Sequence, residues 1–354
     1  MLFCYLLSEV SAKKRKVMRF IMLTFALTYS LNLGMALAFD FKLAPEARTS
    51  MMTMMLVPAF SAITLKMFFE KDSDIYFKTF REKTRLFFYF FLFYFVVFLI
   101  LSIASWISPH YAELADTLTF AMTSLGLLFL VALRFMMGGD AFRKAGLSFG
   151  SPKYYLMFGS LLVLLYGGMA WLNCNFGLGT PIKLEELLAP QGAEASEIMG
   201  ALILMGVQLI VISPFITLLV TFGEEYGWRG YLQTELTGIL GKVKAVLLVG
   251  LIWGIWHAPV IAMGHNYPGY PVEGIFLMTA YTVTLSVLFG LAFLKSGSVW
   301  LASYMHGVNN QSASFFYALY CMPAHPILSF GIGLYGVAIF AIVAVLLLRS
   351  RAWK

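Results

Sequence analysis

Acidic, imidazole and amide side chains occur in three short islands that interrupt otherwise apolar stretches. The first runs Glu224-Glu225-Tyr226-Gly227-Trp228-Arg229, the second Trp253-Gly254-Ile255-Trp256-His257-Ala258-Pro259, and the third His306-Gly307-Val308-Asn309-Asn310. Residues four apart share a helix face, so Glu225 can pair with Arg229, while Glu224, rotated by about 100°, keeps its carboxylate available. A carboxylate withdrawn from water among aromatic neighbours is suited to act as a general base. By the same spacing His257 shares a face with Trp253, and His306 shares one with Asn310, whereas Asn309 points elsewhere. Taken singly, each island also fits a polar helix-packing seam or a charged helix end. Two carboxylates, an arginine, two histidines and an amide gathered in three spans point instead to one shared site. The other histidines, His110, His265 and His325, fall in expected loops.

The elements that must position these groups are membrane helices. With 60% hydrophobic and 12% charged residues, the chain lacks the polar surface a water-soluble globule of 354 residues would need. Continuous apolar runs rather than ten-residue alternations select helices over a barrel. The expected fold is an all-α polytopic bundle of about ten transmembrane helices. They lie near residues 17–39, 51–69, 86–106, 118–137, 154–174, 198–222, 245–264, 275–295, 299–320 and 327–348.

Loop charge orients them. Lys13, Lys14, Arg15, Lys16 and Arg19 precede the first span, and the exits of the second, fourth, sixth, eighth and tenth are all basic. The alternate loops, including the one holding Glu185, Glu186, Glu194 and Glu197, are neutral or acidic. The positive-inside rule therefore predicts a multi-pass protein of the cell membrane with both termini cytoplasmic. The net charge of +7 is then a matter of topology, and nucleic acid is not an expected partner. The apolar start precedes the basic cluster, the reverse of a signal peptide, so no cleavage is expected. Glu224 ends an outward-to-inward span in this scheme, which predicts a cytoplasm-facing cavity. The loop 175–197 is long enough to pack as a small extracytoplasmic cap. Cys174 and Cys321 fall near outer span ends, where an oxidising compartment permits a disulfide.

The ordered pattern Glu224-Glu225 with Arg229, Trp253 with His257, and His306 with Asn310, flanked by Trp228-Arg229-Gly230-Tyr231-Leu232 and His257-Ala258-Pro259, resembles the CPBP family of CAAX-type and bacteriocin-processing intramembrane proteases. The resemblance covers about residues 198–320. Trp253 stands where the eukaryotic prenyl-protein proteases usually have Phe. The resemblance implies an eight-helix core, here residues 86–354, preceded by a two-span addition over 1–85 with a cytoplasmic basic loop. It implies Glu224 as the base that activates water, His257 as a group that orients that water, and His306 with Asn310 as stabilisers of the oxyanion. Glu225 and Arg229 would support them.

The implied activity is intramembrane endoproteolysis of a membrane-associated peptide or protein in a lipid environment. Glu224, His257 and His306 could together supply three zinc ligands, but the chain lacks His-Glu-x-x-His and the resemblance favours a metal-free site without cofactor. The alternative function is a non-proteolytic membrane scaffold or bacteriocin-immunity protein on the same fold. Rescue by catalytically dead variants would single it out.

Overall fold

The computed structural model describes residues 2–183 and 195–354. Its helices are α1 (Leu2–Ala38), α2 (Arg48–Thr64), α3 (Arg85–Ser105), α4 (Pro109–Lys144), α5 (Pro152–Asn175), α6 (Ala195–Gly206), α7 (Ser213–Ile216), α8 (Leu218–Glu225), α9 (Thr234–Leu240), α10 (Lys242–Trp256), α11 (Ala258–Ala262), α12 (Pro271–Ser296), α13 (Val299–Leu319) and α14 (Leu334–Leu347). Two short strands, β1 (Gly179–Pro181) and β2 (Cys321–Pro323), pair antiparallel. Large apolar side chains such as Phe135, Leu156 and Phe276 face outward, as a lipid-embedded surface requires. Of the loop expected as a cap, Glu185, Glu186 and Glu194 lie outside the described residues, and Glu197 falls in the first turn of α6.

All ten apolar stretches fall wholly or largely on helix. Seven helical segments among the described residues are both long and apolar enough to cross a membrane. The other three expected spans fall short for physical reasons. The seventh is split into α10 and α11 at His257. The ninth, α13, carries the polar His306, Asn309, Asn310 and Gln311. In the tenth, only the 14 residues of α14 are helical.

Pro259 causes the split in the seventh. It has no N–H to offer the carbonyl four residues back, and the Tyr29 hydroxyl donates to that Ile255 carbonyl instead, at 3.0 Å. The sixth span departs from expectation in another way. Beyond Glu225 the helical path continues through a π-helical stretch, Tyr226–Gln233, and α9. Glu224 therefore sits inside a helical path and not at its end.

The glutamate helix α8 is held on several sides. A Cβ on Gly223 would lie 2.5 Å from the Met55 carbonyl oxygen, and one on Gly227 2.4 Å from the Pro58 Cβ, so α2 presses against it backbone to backbone. Phe222 stacks on Trp300 of α13 at 4.5 Å and meets Phe87 of α3 edge-on at 5.3 Å. The partner of α10 is α12, through the Gly250-x-x-x-Gly254 pair. A Cβ on Gly254 would lie 2.4 Å from the Thr279 Cα. Gly254→Val is accordingly expected to force these helices apart and cost about 1–3 kcal/mol, read as a lower melting temperature of the purified protein.

The bundle has two distinct ends. At one, Lys16 binds Asp72 at 2.6 Å and Glu70 at 3.5 Å, the Trp300 indole donates to the Leu147 carbonyl at 3.1 Å, and Lys242 donates to the Ala352 carbonyl at 2.9 Å. At the other, the Leu43 amide donates to the Met263 carbonyl at 3.0 Å and the Tyr267 hydroxyl to the Ile332 carbonyl at 2.8 Å. Cys174 and Cys321 form a disulfide at this second end, beside the β1–β2 pair, with Cα atoms 6.1 Å apart.

Candidate active site

Glu224 and Glu225 are both buried, at 2% and 0% exposure, and their surroundings differ as their spacing predicts. Arg229 Nη1 reaches Glu225 at 3.0 Å from Oε1 and 2.9 Å from Oε2. The same Oε1 lies 2.8 Å from His306 Nδ1. Glu225 thus neutralises the arginine and anchors the imidazole, and it is not among the residues lining the cavity that Glu224 faces.

Among the described residues Glu224 accepts a single hydrogen bond, from Trp253 Nε1 at 2.6 Å, and its carboxylate faces a cavity of about 600 Å³. Trp253 has a second contact. Its ring covers the Arg229 guanidinium at 4.5 Å, with Phe289 at 5.1 Å from the same cation. One indole therefore fixes both the free carboxylate and the cation that holds the other.

His257 occupies the break between α10 and α11. Its Nδ1 lies 2.8 Å from the Trp253 carbonyl oxygen. A carbonyl only accepts, so Nδ1 carries the proton and Nε2 presents a lone pair. His306 is pinned through Nδ1 as well, which leaves Nε2 as its available atom. His257, His306 and Asn310 line the same cavity as Glu224. The structure therefore brings the three islands together.

Several neighbours escaped the sequence reading. Asn309, expected to point away, also lines the cavity. Its Oδ1 accepts from Tyr281 at 2.9 Å and from Tyr166 at 3.2 Å, and its Nδ2 donates to Asn310 Oδ1 at 3.3 Å. Adjacent helical residues differ by about 100°, and a cavity this wide admits both. With Oδ1 of Asn310 so engaged, its amide N–H groups are the ones left to donate. Signals for Tyr166 and Tyr281 were a phenol in the middle of each of two apolar spans. Methionines 51, 52, 54 and 55 of α2 form a wall of the cavity, and they looked like ordinary span residues. His265, set aside as a loop residue, lies at the cavity's rim, where desolvation holds its ring down to about 4 and hence neutral.

The cavity's mouth lies toward one end of the bundle. Arg48, His265, Asn266 and Ile332 line the cavity at the disulfide-bearing end, and no residue of the basic-end connections 70–84, 145–151 or 297–298 does. Cytoplasmic basic loops and a cytoplasm-facing cavity cannot both hold. The second expectation rested on Glu224 ending its span, which the continuation to Leu240 removes.

No group of three or more His, Cys, Asp and Glu side chains among the described residues, Glu224, His257 and His306 included, is arranged to hold a metal ion.

Trp253→Phe would keep the ring over Arg229 while removing the N–H to Glu224. The expected result is a tenfold to hundredfold fall in kcat, the order of a lost hydrogen bond to a charged group, with a melting temperature close to the parent's. A turnover assay and a thermal melt of the purified variant check it.

Residues 206–312, which include every side chain of the three islands, match the family model described as Type II CAAX prenyl endopeptidase Rce1-like. A 53-residue stretch is 40% identical to "CAAX prenyl protease 2" of Methanococcus maripaludis, over 15% of this chain and 20% of that protein. The match thus spans about a fifth of that relative's length. No solved structure matches the chain. The region that carries the site is thus similar to the Type II CAAX prenyl endopeptidases of the Rce1-like model.

Proposed function

We propose that this protein is an intramembrane endopeptidase that hydrolyses a peptide bond of a membrane-associated peptide or protein, using water activated by Glu224. The observation that carries this reading is the division of labour between the two glutamates. Glu225 is held by Arg229 and His306, while Glu224 has one donor among the described residues and faces the cavity shared with His257, His306 and Asn310.

In this reading a water in the cavity gives one proton to Glu224 as its oxygen attacks the substrate carbonyl carbon. The unprotonated Nε2 of His257 accepts the water's other hydrogen and fixes its direction. The electron pair moves to the carbonyl oxygen, and the oxyanion is met by the Asn310 amide and by Nε2–H of His306. For Nε2 to donate while Nδ1 donates to Glu225, His306 must be an imidazolium, and the adjacent Glu225 carboxylate offsets its charge. Collapse of the intermediate breaks the C–N bond, and Glu224 returns its proton to the leaving nitrogen. No step requires a metal or cofactor.

His306→Ala and Asn310→Ala each remove a donor to the oxyanion. Each is expected to lower kcat by about 10²–10³-fold, the usual effect of losing one such donor, with little change in KM. Steady-state kinetics on the purified variants test this, and parental turnover in both would contradict the assignment.

A further inference from the structure

We propose that the cavity opens on the extracytoplasmic side and draws its substrate from there, an apolar stretch of an exported or membrane-inserted polypeptide. This rests on the hydrolytic reading for the chemistry, and on separate observations for the side.

The first observation is charge. Of the 25 Lys and Arg residues, Lys42, Arg48 and Lys183 are the ones at the mouth end. The opposite end carries Lys13 to Arg19, the run from Lys71 to Arg85, Arg143 with Lys144, Lys242 with Lys244, and the terminal Arg349, Arg351 and Lys354. Cytoplasmic connections are the ones enriched in Lys and Arg, so the mouth lies on the other side.

The second observation is covalent. Cys174 and Cys321 are joined at the mouth end, and a disulfide persists in an oxidising compartment and not in the reducing cytoplasm. Charge and redox chemistry are independent of each other, and they select the same side.

The third concerns the path to the site. The cavity is lined from Arg48, Asn266 and Ile332 at the rim down to Glu224 and His306. At the basic end beneath, where Lys16 pairs with Asp72 and Glu70 and the Tyr231 hydroxyl donates to Glu70, no residue of the connections 70–84, 145–151 or 297–298 lines this cavity. Along the open path, the thioethers of Met51, Met52 and Met55 offer a flexible, polarizable wall that accepts apolar side chains of varied shape.

The test uses the full chain in a Cys4→Ser background with the disulfide retained. Lys42→Cys reports the mouth end, Met52→Cys the cavity, and Lys78→Cys the basic end. Each is exposed in intact cells, then in permeabilised cells, to a membrane-impermeant maleimide. The proposal expects Lys42→Cys and Met52→Cys to react in intact cells and Lys78→Cys only after permeabilisation. It is overturned if Met52→Cys needs permeabilisation or does not react, or if Lys78→Cys reacts in intact cells. Terminus mapping completes the test. Glu224-dependent cleavage sites should fall in extracytoplasmic or outer-half segments, and sites confined to cytoplasmic segments would contradict the proposal. Labelling needs no turnover, so its failure would leave the hydrolytic reading standing. Failure of Glu224 dependence would leave the labelling pattern unchanged.

Discussion

Glu224→Gln is expected to lower peptide hydrolysis by about 10²–10⁴-fold, the range that a positioned general base supplies, while leaving the protein folded. The amide is isosteric with the carboxylate, and its oxygen can still accept from Trp253 Nε1, which now lies 2.6 Å from Glu224 Oε2. What is lost is the capacity to take a proton from water and return it to the leaving nitrogen. A single-turnover assay separates this from binding, because substrate affinity should change little while the chemical step slows. A thermal melt close to that of the parent would show that the loss is chemical. Parental rates from a folded Glu224→Gln protein would rule Glu224 out as the base.

The second large effect is expected at Glu225, and it falls on stability as well as rate. Glu225→Ala removes the carboxylate that both Arg229 and His306 contact, and all three side chains are nearly or fully buried. An arginine left buried without its partner typically costs about 3–5 kcal/mol, so the variant should melt far below the parent. It should also lose activity, since nothing then fixes His306 Nδ1 or offsets its charge. The double variant Glu225→Ala with Arg229→Met separates the two effects. Stability should return in part because the stranded cation is gone, whereas activity should remain low. Equal recovery of both would mean that Glu225 acts only through Arg229.

The parts of the site fixed by helical periodicity were legible from residue spacing. Four-residue intervals correctly paired Glu225 with Arg229 and placed His257 beside Trp253. The family pattern likewise picked out a region that the family model matches independently. What periodicity does not encode is depth and wall composition. A run of hydropathy ending at residue 222 looks like the end of a span, yet the chain stays helical to Leu240, and this shifted the apparent position of Glu224. The contribution of α2 was hidden because Met51 to Met55 read as plain apolar residues. Only the close approach of Gly223 and Gly227 to Met55 and Pro58 brings them to the site. The pairing of Cys174 with Cys321 was permitted by topology, but their sequence separation of 147 says nothing of distance in space. Trp253, which differs from the usual Phe, proves to be the sole hydrogen-bond donor to Glu224 among the described residues.

The central claim is that this cavity cuts polypeptides with Glu224 as the base. Its most direct test compares new protein termini in membranes of cells carrying the parent protein with those carrying Glu224→Gln at equal abundance. The account predicts a set of termini present with the parent and absent with the variant. Identical sets of termini in the two membranes would contradict it.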